Sequence, residues 1–240
     1  MGEAEWKRLF DILIPMPIHI DEFIRAKRRT VSIQIKPDGK VIVRAPLRIA
    51  EKTVRAFVES KADWITRKKA ELAAHTPVAA HQFRDGERFL LLGREIPLRV
   101  EPGQRAALTL KDAFILSPKA LPNAADIFEK WYKTYALALL KERVALYAAQ
   151  HGFKPERIRI SSARTRWGSC SSRGTLSFTW RLVMAPLEVI DYVVIHELVH
   201  LKVHNHSKTF WDSVAALMPD YKRHMAWLKA NSARMTWLSP

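Results

Sequence analysis

The segment His196-Glu197-Leu198-Val199-His200 constrains this chain more than any other feature of its sequence. Four residues of an α-helix turn through about 400°, so the two histidines lie one above the other on the same helix face. Both imidazoles can therefore reach one metal ion, and Glu197 lies close enough to contact a water molecule on that ion. Zinc hydrolases use this spacing, so the segment predicts a zinc site whose general base is Glu197.

A zinc site of this kind needs a third protein ligand beside an open position for water. No glutamate follows Glu197, which excludes a downstream glutamate ligand and leaves His204, His206, Asp212, Asp220 and His224. On a continued helix, His204 would lie about 6 Å of rise beyond His200, which is far for one ion. His206 requires the helix to end first, and Asn205 tolerates the left-handed conformation that such a reversal needs. The geometry favours His206 over His204.

The pattern of apolar residues predicts an α+β fold in three parts. Residues 1–24 form an extension with little pattern, and residues 25–118 form a β-rich N-terminal domain with one helix. That domain contains a hairpin at residues 31–45 around Gly39 and two further strand pairs between residues 88 and 116. Residues 119–240 form a second domain with a long helix ending near Gly152, a strand at residues 175–182 and the motif helix, which is predicted to run to about Val203.

Composition limits the cellular setting and the partners. The net charge of +16 is spread over the whole chain and attracts polyanions, so a nucleic-acid partner is possible. The single Cys170 excludes an intramolecular disulfide framework and a cysteine-rich zinc site. No apolar run approaches the roughly 20 residues of a membrane helix, and the first residues do not form a secretory signal pattern. We expect a cytoplasmic location and no membrane partner.

Several residues are candidates for binding the substrate or stabilising its transition state. If the strand at residues 175–182 lies at a sheet edge, it can pair with an extended peptide, which places Ser177 and Thr179 beside the substrate. Trp167 lies in a polar loop where packing does not explain it, and Arg166 precedes it. Candidates for the oxyanion stabiliser are Tyr221, His224, Arg166 and Arg181. Cys170 is expected to be an inert small residue.

Together these segments resemble the YgjP-like metallopeptidase-domain family, which is related to the SprT-like zincins. The resemblance extends over roughly 25–235, and it rests on the run from His196 to Trp211, Arg166-Trp167-Gly168-Ser169-Cys170, Trp180-Arg181-Leu182, the hairpin from Ile35 to Pro46, and the run from Ser60 to Ile65. It implies a zincin-like C-terminal domain in which His196, His200 and His206 bind the metal and Glu197 is the base. The resemblance indicates metal-dependent hydrolysis more clearly than it indicates the substrate.

These observations predict a zinc-dependent hydrolase with one Zn²⁺ per chain, most simply a metallopeptidase acting on a peptide or protein. Histidine-rich sites also accept manganese, cobalt or nickel. A first alternative is a nucleotide or phosphoester hydrolase, which would bring Arg166, Arg173 or Arg181 to the ion. A second is a nucleic-acid-associated protein with structural zinc, in which a protein ligand would fill the fourth position.

Overall fold

The computed structural model describes residues 18–36, 38–74 and 80–235, so most of the predicted N-terminal extension lies outside the described residues. Contacts divide the chain into two compact units, Met1–Pro77 and Val78–Pro240. The described residues form six α-helices and three β-sheets, which confirms the predicted α+β class. None of the described helices combines the length and the hydropathy that a bilayer span needs.

The first unit contains a three-stranded sheet. β1 (Glu22–Ala26), β2 (Ser32–Ile35) and β3 (Val41–Pro46) lie in the order β1-β3-β2, with β3 antiparallel to β2 and parallel to β1. The predicted hairpin is therefore present, and Gly39 in its turn has a φ of 81°. β1 begins inside the predicted extension, because its partner strand is distant in sequence and no local pattern marks it.

Two helices stand where one was predicted, α1 (Glu51–Glu59) and α2 (Ala62–Ala74). The break falls at Ser60, whose hydroxyl donates to the carbonyl of Phe57 at 2.7 Å and so competes with continuation of the helix. The core of this unit joins the hairpin to both helices and consists of Val41, Val43, Ala45, Val54, Val58 and Ile65.

The second unit begins with a four-stranded sheet. Its strands are β4 (Arg88–Leu91), β5 (Arg94–Val100), β6 (Leu108–Leu110) and β7 (Phe114–Leu116), in the order β4-β5-β7-β6. The β4–β5 and β6–β7 pairs are antiparallel, as the two predicted strand pairs require, and β5 and β7 are parallel.

The long helix α3 (Ala124–His151) packs on this sheet, so the predicted domain boundary near Pro118 falls inside the second unit. Phe128 of α3 stacks on Phe89 of β4 at a centroid distance of 4.4 Å and contacts Phe114 of β7 at 5.2 Å. Pro118 starts a short 3-10 helix that leads directly into α3. Prolines alone did not distinguish this connection from a linker, because the shared aromatic core is formed by residues far apart in sequence.

The third sheet contains β8 (Arg157–Ser161), β9 (Gly168–Cys170) and β10 (Thr175–Thr179), in the order β8-β10-β9. β10 pairs with β8 in parallel and with β9 antiparallel, so it is the central strand. The possibility that the strand at residues 175–182 lies at a sheet edge is therefore excluded, since β8 and β9 pair with β10 on its two sides. The strand also ends at Thr179, and Trp180–Met184 form a 3-10 helix.

Three helices complete the chain: α4 (Leu187–Val199), α5 (Lys208–Leu217) and α6 (Tyr221–Asn231). α4 carries the motif and is buried on almost every side, with ten of its thirteen residues buried. It ends at Val199 rather than Val203, with His200 as its C-cap residue. The backbone then tightens, because the N–H groups of Leu201 and Lys202 donate to carbonyls only three residues back.

A buried ion pair fixes α4 to α3. The guanidinium of Arg143 donates to both carboxylate oxygens of Asp191, each at 2.7 Å, and Asp191 is 6% exposed. We expect Arg143→Ala to lower the free energy of unfolding by about 3 kcal/mol, because it leaves a buried carboxylate without its partner. Urea denaturation measures this. The double variant Arg143→Met/Asp191→Leu is expected to lose less stability, and an equal or larger loss would contradict this explanation.

Candidate metal centre

Three histidines converge at the end of α4. One ring nitrogen from each of His196, His200 and His206 lies within 4.8 Å of the others, and Nε2 of His196 is 3.1 Å from Nε2 of His206. Two nitrogens bound to one tetrahedral zinc ion lie about 3.3 Å apart. The spacing and the chemistry of these donors therefore fit zinc. The third member is His206, whereas His204 lies outside the group.

The turn after α4 brings His206 back to the helix. The side chain of His200 takes part, since its Nδ1 donates to the carbonyl of Val203 at 3.0 Å and leaves Nε2 for the cluster. The predicted left-handed residue at Asn205 is wrong, because no residue between His200 and Ser207 has a positive φ. Instead, the side-chain oxygen of Asn205 accepts a hydrogen bond from the backbone N–H of Ser207 at 3.3 Å.

Two aromatic residues of α5 support the histidines. The buried ring of Phe210 lies 4.4–4.8 Å from the three imidazoles, measured between centroids. The indole of Trp211 stacks on His206 at 5.7 Å and on Tyr221 of α6 at 5.4 Å. His206 is exposed, so this stacking fixes a side chain that its own burial would not. Both residues lie on α5, four and five residues after His206 in the sequence. This short spacing is the signal that could have identified them.

Burial favours the neutral, metal-binding form of the imidazoles of His196 and His200. Desolvation, and next the neighbouring His200 and His206, lower the pKa of His196 to about 3. Burial also lowers the pKa of His200. Two neutral rings therefore present lone pairs to the cluster at neutral pH.

Glu197 lies beside the histidines with its carboxyl group buried. The side chain is 4% exposed, and Oε2 has no hydrogen-bond partner among the described residues. Desolvation raises the pKa of Glu197 to about 8, and the positive charge of Arg166 acts in the opposite direction. An unpartnered buried carboxyl group is unfavourable unless another molecule contacts it. The position suits a group that exchanges a proton with a water molecule.

Gly168 of β9 passes directly over this carboxyl group. A Cβ atom at Gly168 would come within 2.6 Å of Cγ and 2.7 Å of Cδ of Glu197. Only glycine allows the strand to lie this close, so Gly168 is part of the site although its sequence context did not identify it as such. β9 and α4 thus enclose Glu197 from two sides.

A groove of about 450 Å³ opens at these residues. It is lined by the three histidines, Glu197, His204, Gly168, Ser169, Cys170 and Ser172. Burial, and next the charge of Glu197, raise the pKa of Cys170, which disfavours the thiolate. β9 and the hairpin turn after it form one wall of the groove.

The chain matches the family described as YgjP-like, metallopeptidase domain, over residues 29–231. It belongs to the YgjP-like metallopeptidase-domain family. No curated protein matches it significantly. Among solved structures it is similar to the metallopeptidase zymogen abylysin of Pyrococcus abyssi, with 22% identity over 38% of this chain and 93% of that chain. The TM-score is 0.36, which is too low to support a conclusion.

The other predicted substrate residues of this YgjP-like chain lie outside the groove. Thr179 is buried, and its hydroxyl donates to the carbonyl of Ala163 at 2.8 Å. Ser177 lies on the central strand β10, where its backbone faces β8 and β9. Neither residue can offer a free strand edge to a peptide, so the reason for predicting them does not hold.

Trp167 and Arg166 flank the groove without lining it. The ring of Trp167 is half-buried against the core, and its carbonyl accepts a hydrogen bond from Thr179 at 3.0 Å. Arg166 is exposed, and its charge acts on Glu197. Of the two, Arg166 is the one that the structure connects electrostatically to the site.

Three of the four candidate oxyanion stabilisers are held away from the groove by other contacts. Tyr221 is nearly buried and stacks on Trp211, while Nε2 of His224 lies 3.0 Å from the carboxylate of Asp220. Arg181 is buried over the ring of Trp180 at 4.3 Å and donates to the carbonyl of Ser162, and burial lowers its pKa. None of these three side chains lines the described groove.

Proposed function

We propose that this protein is a zinc-dependent metallopeptidase in which His196, His200 and His206 bind one zinc ion and Glu197 is the general base. The observation that carries the proposal is the buried, unpartnered carboxyl group of Glu197 in the same groove as three converging imidazoles. Membership of a metallopeptidase-domain family supports it. The C-terminal part of the second unit is then a zincin-like catalytic region.

The chain's own residues perform the proton transfers. A zinc ion held here supplies Lewis acidity, which lowers the pKa of a water molecule and polarises the scissile carbonyl. Oε2 of Glu197 accepts the proton of the attacking water and later donates it to the leaving amine nitrogen. The hydrogen bond from His200 to Val203 fixes the ring orientation, and the stack of Trp211 on His206 does the same for the third ligand.

β9 is the strand that we propose for peptide binding. It is one of the two edge strands of its sheet within the described residues, and its residues Gly168, Ser169 and Cys170 line the groove. An extended peptide can pair with that edge and place a carbonyl group beside Glu197. The sequence-based idea of strand pairing is thus retained, but the strand is the one before β10.

The structure does not favour the two alternatives. A phosphoesterase would bring arginines to the ion, yet none of Arg166, Arg173 and Arg181 lines the groove. A structural zinc site would complete its four ligands from the protein, whereas the described cluster contains three. Three protein donors leave a position for water, which is typical of catalytic zinc.

Metal titration coupled to a hydrolysis assay tests the proposal. Protein that a chelator has stripped of metal should regain hydrolysis of a fluorogenic peptide mixture in proportion to added zinc. The activity should saturate at one equivalent of zinc per chain. His206→Gln should need a much higher zinc concentration for half-maximal activity, whereas the matched control His204→Gln should need the same zinc concentration as the wild-type protein. Activity that is indifferent to zinc, or equal losses in both variants, would contradict the assignment.

A further inference from the structure

A second groove, of about 370 Å³, adjoins the groove that contains the three histidines, since Ser172 and His204 line both. Its other walls come from the end of α3, from the β9–β10 hairpin and from the turn after α4. We call this second groove the rim pocket. A peptide that lies along the first groove and continues past His204 enters the rim pocket.

The walls of the rim pocket are held by the backbone. Three hydrogen bonds close them, from Phe153 to Ala148, from Gly174 to Ser171 and from Lys202 to Val199, at 2.9–3.0 Å. Phe153 is buried and lines the pocket, and its ring lies beside Nζ of Lys202. A pocket formed in this way needs little rearrangement to receive a ligand.

Two lysines give the rim pocket a positive charge. Lys154 and Lys202 line it, no aspartate or glutamate does, and Glu156 lies beside the hairpin without lining it. Nζ of Lys202 lies 4.5 Å from the ring centroid of Phe153, a cation–π contact that positions the ammonium without neutralising it. Neither lysine forms an ion pair with any residue in the described part of the chain. Such a pocket favours an anion.

We propose that the rim pocket is a substrate subsite that receives a carboxylate of the peptide, either an acidic side chain or the C-terminal α-carboxylate. The proposal rests on the proposed peptidase function, which supplies the cleavage site in the adjoining groove. The hydroxyl groups of Ser171 and Ser172 can donate further hydrogen bonds to the same carboxylate. Both lysines are exposed, so the preference falls as salt screens their charge.

Two pairs of quenched fluorogenic peptides test the subsite. The peptides of the first pair differ by glutamate or glutamine, which is placed in turn at each position around the cleavage site. The peptides of the second pair end, after the cleavage site, in either a free or an amidated C-terminus. We expect kcat/KM to be about tenfold higher for glutamate at one position, or for the free C-terminus, at low ionic strength. The pair that responds identifies the source of the carboxylate.

Charge reversal attributes the preference to the two lysines. Lys154→Glu/Lys202→Glu should abolish the preference for the carboxylate and favour lysine at the same peptide position. Lys130→Glu/Lys141→Glu changes the net charge equally on exposed positions of α3 and should keep the wild-type preference. Equal cleavage of all matched peptides by the wild-type protein, or a preference that survives in Lys154→Glu/Lys202→Glu, overturns the subsite and leaves the peptidase function standing.

A binding measurement separates failure of the subsite from failure of the peptidase. If the wild-type protein cleaves no peptide, the proposed function fails, and fluorescence anisotropy of the labelled peptides on zinc-loaded protein decides the subsite. Tighter binding of the carboxylate peptide that disappears in Lys154→Glu/Lys202→Glu supports the subsite. Equal binding of carboxylate and amide peptides overturns it.

Discussion

The Glu197→Gln variant is expected to bind one zinc ion per chain and to hydrolyse peptides about 10³-fold more slowly than the wild-type protein. Glutamine keeps the size of the side chain, so the contact with Gly168 and the packing of α4 remain. It cannot accept a proton from water at neutral pH, so the general-base step is lost. Single-turnover hydrolysis together with elemental analysis of the same sample separates loss of chemistry from loss of metal.

Glu188→Gln is the matched control for this experiment. Glu188 lies exposed in the first turn of α4, and its replacement makes the same carboxyl-to-amide change on the same helix. We expect wild-type turnover in this variant. Turnover of Glu197→Gln within threefold of wild type would reject Glu197 as the base.

The second large effect is expected at Gly168, where Gly168→Ala should lower kcat about 10²-fold while zinc binding is retained. The added Cβ would overlap Cγ and Cδ of Glu197, and the backbones that carry the two residues cannot move apart easily. β9 is paired with β10, and α4 is buried on almost every side. The carboxyl group must therefore rotate away from its position, although the three histidines are untouched.

A double-mutant cycle tests whether this contact is the cause. Gly168→Ala should also lower the free energy of unfolding by about 1–3 kcal/mol through overpacking. In a Glu197→Ala background, the same substitution should have little effect on stability, because Cγ and Cδ are absent. Equal destabilisation in the two backgrounds would mean that Gly168 acts through the backbone of β9 instead. Urea denaturation of the four metal-free proteins provides the comparison.

Sequence reasoning succeeded where the determining residues are close together in the chain. The motif helix and the hairpin around Gly39 follow from local periodicity and turn chemistry. Helix geometry and the family resemblance both favoured His206 as the residue that joins His196 and His200 within this segment of eleven residues, although the turn that returns it differs from the predicted one. In each case, the interacting residues could be placed relative to one another without knowledge of the rest of the fold.

It failed where distant segments decide the outcome. The position of β10 between β8 and β9 depends on long-range pairing, so a strictly alternating pattern could not distinguish a central strand from an edge strand. The boundary near Pro118 was misplaced for the same reason, since Phe89 and Phe128 form a core across it. Gly168 was recognised as part of a characteristic segment, but the sequence did not show that position 168 requires glycine, because the close approach to Glu197 exists only after folding.

The burial of α4 limits how a protein of this design can change over time. One helix serves as the central support of the second unit and as the carrier of the reactive groups. A substitution on α4 that alters the catalytic chemistry therefore also alters the packing of the interior. Such a substitution can reduce both activity and stability. New selectivities are expected to arise in the surface segments that border the helix, namely the turn between β9 and β10 and the residues around Lys202, where side chains can be exchanged without repacking the interior.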